Sequence, residues 1–261
     1  MNTINVPFRT LKKMAKEMMK GKYWACVFVL LLANVISAAP SMLVSALTTS
    51  RIINDIATIA GELISIYFDV ALASFFLAIF RGKPGKLDDL TDISSSWPTA
   101  VYMTIIGELK IMIGIILFIV PGIIAAINHS QMYYILVEHP DYNARQCIEE
   151  SKKMMVGNRW KYVGYTFSFV GWMILAKIPE SIYAGNVAMN SGITFAIPQG
   201  LSVQEYVAIL DDYSLAITSN MNSLVVFLLG LIPVFVMAYV TMGMAAFYDV
   251  VSGGLIVEDI S

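Results

Sequence analysis

IVPGIIAAINHSQMYYILVEHPDYNARQCIEESKKMMVGNRW, residues 119–160, decides how the rest of the chain is laid out. It opens with a Val120-Pro121-Gly122 break inside apolar sequence and continues as an apolar segment streaked with Asn128, His129 and Gln131. It turns at His139-Pro140-Asp141, and a charged amphipathic helix then runs to a stop at Gly157. Apolar spans lead into this stretch and out of it.

The composition sets the solvent. Hydrophobic residues make up 57% of 261 and charged ones 14%, against about 25% charged in soluble domains. That excess of apolar surface requires lipid, and several runs of about 20 apolar residues are long enough to cross a bilayer as helix. The expected class is all-α: a polytopic membrane helical bundle of about six transmembrane helices plus cytoplasmic amphipathic helices. The net charge of −2 says little, because charges sort by membrane side. Cys26 and Cys147 both fall near the cytoplasmic face, so no disulfide is expected.

Outward from the central stretch, residues 5–21 form a basic amphipathic helix. Phe8, Leu11, Met14 or Ala15, and Met18 lie on one face, with Lys12, Lys13, Lys16 and Lys20 on the other. Spans are expected at about 23–47, 56–80, 99–119, 122–138, 160–178 and 223–251. The first begins at the interfacial pair Tyr23-Trp24 and is loosened near Pro40; it continues past Ser37-Ala38-Ala39, so an uncleaved span is expected rather than a signal peptide. Residues 143–156 form a second amphipathic helix, N-capped by Asn143 with Gln146 three residues on. Residues 180–222 hold no Lys or Arg and read as an external loop containing a short helix, opened by the capping box of Ser202 and Glu205 and running to about Tyr213.

Residues 99–137 as one straight helix would run about 58 Å, nearly twice a hydrocarbon core of about 30 Å. The basic residues choose between a hairpin and a single kinked span. A reversal at Pro121-Gly122 puts six basic residues (1–22), three (81–98) and five (138–161) inside, fourteen of seventeen. Arg51 and Lys177 are then outside and Lys110 is in the membrane; a single span would move five of the fourteen outside. The hairpin is therefore expected, with Pro121 and Gly122 as its hinge and both termini cytoplasmic.

Two segments 136 residues apart match: Lys16/Lys152, Met18/Met154, Met19/Met155, Gly21/Gly157 and Trp24/Trp160 are identical. The ends of the second and last spans echo each other too, Ala73 to Gly82 against Ala245 to Gly254. The pattern reads as a parallel repeat of surface helix, span, span, with the hairpin inserted between the copies.

Pro121-Gly122-Ile123-Ile124, Tyr134-Ile135-Leu136, Pro140, Ser151 with Met154 or Met155, Gly157, Trp160 and Ser168-Phe169-Val170-Gly171-Trp172, with Ala246-Phe247-Tyr248 near the end, form a further pattern. Together they resemble the signature of the bacterial integral membrane family called domain of unknown function 975. The resemblance is most specific over 119–172. It implies a bacterial cell-membrane protein of Gram-positive type with no assigned activity. The chain departs from the pattern at Asn128-His129, where Tyr-Ser is expected, and in its long segment 180–222. A more distant likeness is to the membrane domain attached to some glycerophosphodiester phosphodiesterases.

Ionisable groups inside spans cost about 2.5–3.5 kcal/mol each on insertion scales and need a partner or a cavity. Asp69 and Lys110 each lie twelve residues from an inner edge, about 18 Å deep, which puts an Asp69–Lys110 pair within reach. Glu108, Asn128 and His129 fall at nearby depths. These five residues are the candidate intramembrane polar site, read either as a place for a substrate, ion or proton, or as a structural ion pair with supporting hydrogen bonds. Glu138, His139 and Asp141 read as a turn at the membrane edge.

No HExxH, GxSxG or Walker loop occurs, and two histidines ten residues apart make no metal site. No cofactor and no nucleic acid is expected, since the basic residues follow the membrane edges. The reading is a non-enzymatic membrane protein, an accessory, assembly or protective component whose partners are membrane lipid and other membrane proteins or copies of itself. The alternatives are a small transporter or permease subunit and, third, an intramembrane enzyme.

Overall fold

The computed structural model describes residues 6–48, 50–85, 95–190 and 202–254. Among these the chain forms ten helices and no strand. They are α1 (Phe8–Met18), α2 (Tyr23–Leu47), α3 (Arg51–Phe80), α4 (Trp97–Leu117), α5 (Ile119–His129), α6 (Met132–Glu138), α7 (Ala144–Met155), α8 (Arg159–Asn190), α9 (Val203–Asn220) and α10 (Ser223–Ser252). Four of them, α2, α3, α4 and the Leu228–Ser252 part of α10, are long and apolar enough to cross a membrane.

The chain divides into two compact units, one of residues 1–169 with 238–261 and one of 170–237. In the first, α2 and α3 pack as a hairpin. Gly61 makes the close approach: a Cβ there would lie 2.6 Å from the Ser37 carbonyl oxygen. Pro40 sits inside α2 without ending it. The helix α3 ends where Gly82 takes a φ of 77°, and the Lys83 and Gly82 amides bond back to Ala78 and Ile79, which satisfies carbonyls the helix end leaves free.

Two amphipathic helices dock their apolar stripes in this unit. In α1 these are Leu11, Met14 and Ala15, followed by Met19; in α7 they include Cys147, Ser151 and Met155. Leu11/Cys147, Ala15/Ser151 and Met19/Met155 are each 136 apart, and every one is buried. The turns after them match as well: Gly21 and Gly157 have φ of 77° and 86°, with Lys22 N–H bonding to Met19 O and Asn158 N–H to Met155 O. The repeat thus extends to backbone conformation. At the other ends the helices close at matching positions, Phe80 and Ser252, but the left-handed residues are Gly82 and Gly253, so the later turn comes one residue sooner than the Gly82/Gly254 alignment implies.

The second unit contains the outer part of α8, α9 and the first part of α10. Its Tyr183 hydroxyl accepts the Asn222 backbone N–H at 2.9 Å. Ser202 and Glu205 exchange both bonds of the expected capping box, at 3.3 Å and 2.9 Å.

Several expectations change. The chain reverses at Phe118, whose backbone is extended (φ −159°, ψ 140°), three residues before Pro121-Gly122. Pro121 stands in the first turn of α5, where its missing N–H leaves no helix bond unmade. Gly122 instead makes the hairpin contact: a Cβ on Gly114 would lie 2.8 Å from its Cα. The expected span 122–138 is two short helices, α5 and α6, interrupted at Ser130-Gln131. The segment 180–222 is largely helical, because α8 continues through Pro179 to Asn190 and α9 runs on to Asn220. Finally, the Trp97 indole donates to the Leu63 carbonyl at 3.3 Å. That places the start of α4 beside a turn of α3 about 27 Å along the helix from Arg81, not level with its inner end.

Candidate functional site

The interruption between α5 and α6 contains no proline or glycine. A helix broken this way exposes a carbonyl on one side and an amide on the other, and burial makes both costly to leave unpaired. Ser151, arriving from α7, supplies the missing partner for each. Its hydroxyl donates to the Asn128 carbonyl at 2.6 Å and accepts the Gln131 N–H at 3.2 Å. The Asn128 side chain is held in turn, its Oδ1 accepting from Arg159 Nε at 2.8 Å. Two buried atoms around the break have no hydrogen-bond partner: His129 Nδ1 and Gln131 Oε1. The His129 ring faces Gly107 of α4.

The five candidate polar residues therefore separate. Asn128 and His129 are buried at the break. Asp69, Glu108 and Lys110 lie on exposed helix faces. Asp69 has Glu62 and Glu108 as its charged neighbours, while Lys110 lies toward His129. Asp69 and Lys110 form no ion pair with one another among the described residues. The expected pairing assumed that α4 starts level with the inner end of α3, and the Trp97–Leu63 contact removes that assumption. Tyr133 and Thr104 share a hydrogen bond at 2.8 Å between α6 and α4.

The charged cluster lies elsewhere, where α3, α6 and α10 meet. Arg81 Nε bonds Asp249 Oδ1 at 2.6 Å, and its Nη2 pairs with Glu138. The Tyr248 hydroxyl donates to the other Glu138 oxygen, and its ring stacks on Tyr134 with centroids 4.9 Å apart. Asp249 is fully buried, and its Oδ2 has no partner. The chain closes tightly over this carboxylate: a Cβ on Gly254 would lie 2.5 Å from Asp249 Oδ1. Burial works against the charge on Arg81, and the bonds from Asp249 and Glu138 outweigh it, holding the guanidinium above its ordinary range. Beside it opens a cavity of about 530 Å³ lined by Ser74, Leu77, Arg81, Lys83, Glu138 and His139, among others.

Reading Glu138 as a turn residue missed this cluster. The available signal was Asp249, the one acid in an otherwise apolar last span, directly after an aromatic. Ser151 stands in the family pattern of the sequence, but nothing in its neighbours along the chain signals its bond to Asn128.

Elsewhere the amphipathic helices carry structural chemistry. Lys12 turns inward rather than outward, donating to the Ser168 carbonyl at 2.9 Å and lying 4.3 Å from the Phe169 ring centroid. Burial lowers its pKa. The Cys147 thiol is pushed up to about 11 by burial, which keeps it protonated and unreactive near neutrality.

Helices throughout the described residues, four of them long and apolar enough to span a bilayer, point to a membrane-embedded helical protein. The family described as "Protein of unknown function (DUF975)" matches residues 63–254, and the chain belongs to it. No curated protein and no solved structure matches the chain.

Proposed function

We propose that the protein is a non-enzymatic component of a bacterial cell membrane, multi-pass with both termini cytoplasmic, serving as an accessory, assembly or protective factor through lipid or membrane partners. The observation that carries this reading is the pair of docked amphipathic helices. Their apolar stripes are buried, which leaves Lys13 and Lys16 of the first, Lys20 in the turn after it, and Lys152 and Lys153 of the second exposed. Such exposed lysines suit anionic lipid or an acidic partner. Buried Ser151 of α7 and buried Asp249 of α10 support the same reading, since each joins its helix to other elements through hydrogen bonds. Extraction in mild detergent followed by mass spectrometry of bound proteins and lipids tests it. A partner or anionic lipid lost in Lys13→Gln/Lys16→Gln/Lys152→Gln supports the proposal, and a chain that retains neither refutes it.

The α5–α6 interruption supports a second reading, a small transporter or permease subunit. Broken helices bearing unpartnered polar groups often form transport sites, and repeats are common in such folds. Solute flux in proteoliposomes that His129→Ala abolishes would favour it.

A further inference from the structure

We propose that the cavity beside Arg81 binds the phosphate of an anionic phospholipid headgroup. This deepens the lipid reading above and rests on it. Three observations lead there. The cavity lies where apolar helices end: Phe80 is the last residue of α3, Glu138 closes α6, and Lys22 immediately precedes α2. That is the depth at which headgroups meet protein.

Its charges are arranged for an anion. Glu138 and Asp249 occupy Nη2 and Nε of Arg81, which fixes the plane of the guanidinium and leaves its remaining N–H groups for another acceptor. Lys83 lines the cavity, and the Lys22 ammonium is held beside it on the Lys83 carbonyl at 2.5 Å. Neither lysine forms an ion pair among the described residues. Two further cations thus stand near Arg81, which already holds both neighbouring carboxylates, and His139 adds a further donor at the wall.

The size and walls also suit a lipid. The volume of about 530 Å³ falls within the range of about 300–1,000 Å³ usual for small-molecule sites. Leu77, Ala78 and Val137 give the lining apolar surface for glycerol and the first acyl carbons, and Ser74 with the charged groups makes the rest of it polar. Basic pockets between spans on the cytoplasmic side hold anionic headgroups by this combination.

The test uses the full chain in mild detergent, with native mass spectrometry and thermal melting, and phosphatidylglycerol, phosphatidylcholine and inorganic phosphate as probes. Phosphatidylglycerol should be retained and should raise Tm, while phosphatidylcholine should do neither. Lys83→Gln should weaken phosphatidylglycerol about fivefold, the factor equivalent to about 1 kcal/mol per basic residue at an anionic surface. Lys83→Arg should restore it, and Arg51→Gln, at the exposed far end of α3, should leave it unchanged. Inorganic phosphate that displaces the lipid and protects equally well supports the anion site with free phosphate as its source. Phosphatidylglycerol retained equally by wild type, Lys83→Gln and Lys22→Gln overturns the cavity assignment and leaves the broader lipid reading standing. A wild-type chain that retains no lipid and no partner overturns both.

Discussion

Ser151 and Asn128 are joined across a gap in a helix: the serine hydroxyl donates to the asparagine carbonyl at 2.6 Å while accepting the Gln131 amide on the far side of the break. One side chain from α7 thereby replaces the hydrogen bonds that a continuous α5–α6 helix would have made for itself. The interruption depends on the presence of α7.

Ser151→Ala should then strand a buried carbonyl and a buried amide together. Leaving a buried polar group unpaired costs about 1–3 kcal/mol, so thermal melting in detergent should show a clear loss of stability. An unchanged Tm would mean that the break stands without its splint.

The Arg81 cluster predicts asymmetric mutational costs. Removing the guanidinium in Arg81→Leu leaves Glu138 and fully buried Asp249 uncompensated, and breaking a buried ion pair this way costs about 3–5 kcal/mol. The triple substitution Arg81→Leu/Glu138→Leu/Asp249→Leu should recover much of that loss, because no buried charge remains. Comparable melting curves for the single and triple variants would show that the charges do not act as a unit.

The hairpin of α4 and α5 should be intolerant at its glycines. A Cβ on Gly114 meets the Gly122 backbone at 2.8 Å, and one on Gly122 meets the Ile115 side chain at 2.3 Å. Gly114→Ala or Gly122→Ala should cost about 1–3 kcal/mol as overpacking. Gly171→Ala, inside α8 where no atom lies within 4 Å, should cost nothing and gain up to about 1 kcal/mol in helix propensity, and serves as the control. Equal stability of all three variants would place the close approach elsewhere.

What could be read from the sequence is local. Tyr23, Leu47 and Phe80 bound apolar runs by composition alone, and the Asn143/Gln146 and Ser202/Glu205 caps follow from a three-residue spacing. The repeat was legible because Gly21 and Gly157 impose the same left-handed turn. Long-range features were not. The break at Ser130-Gln131 has no Pro or Gly to announce it and rests on Ser151, twenty residues away. Asp249 meets Arg81 across 168 residues, and no periodicity encodes such a meeting. Pro121-Gly122 drew attention as the strongest local breaker, whereas the reversal falls at Phe118, the one residue between α4 and α5.

The last prediction reverses an expectation drawn from helix depth. Asp69 and Lys110 are each twelve residues from a nominal inner edge, yet no ion pair joins them, and α4 begins beside Leu63 rather than level with Arg81. Both side chains lie on exposed faces, Asp69 near Glu62 and Glu108, and Lys110 toward His129. Substitutions that share no partner add to within about 0.3–0.5 kcal/mol. Asp69→Leu, Lys110→Leu and the double variant, compared by thermal melting in detergent, should therefore show additive changes. Rescue of one substitution by the other, with a coupling above about 1 kcal/mol, is the behaviour of contacting residues and would restore the ion pair.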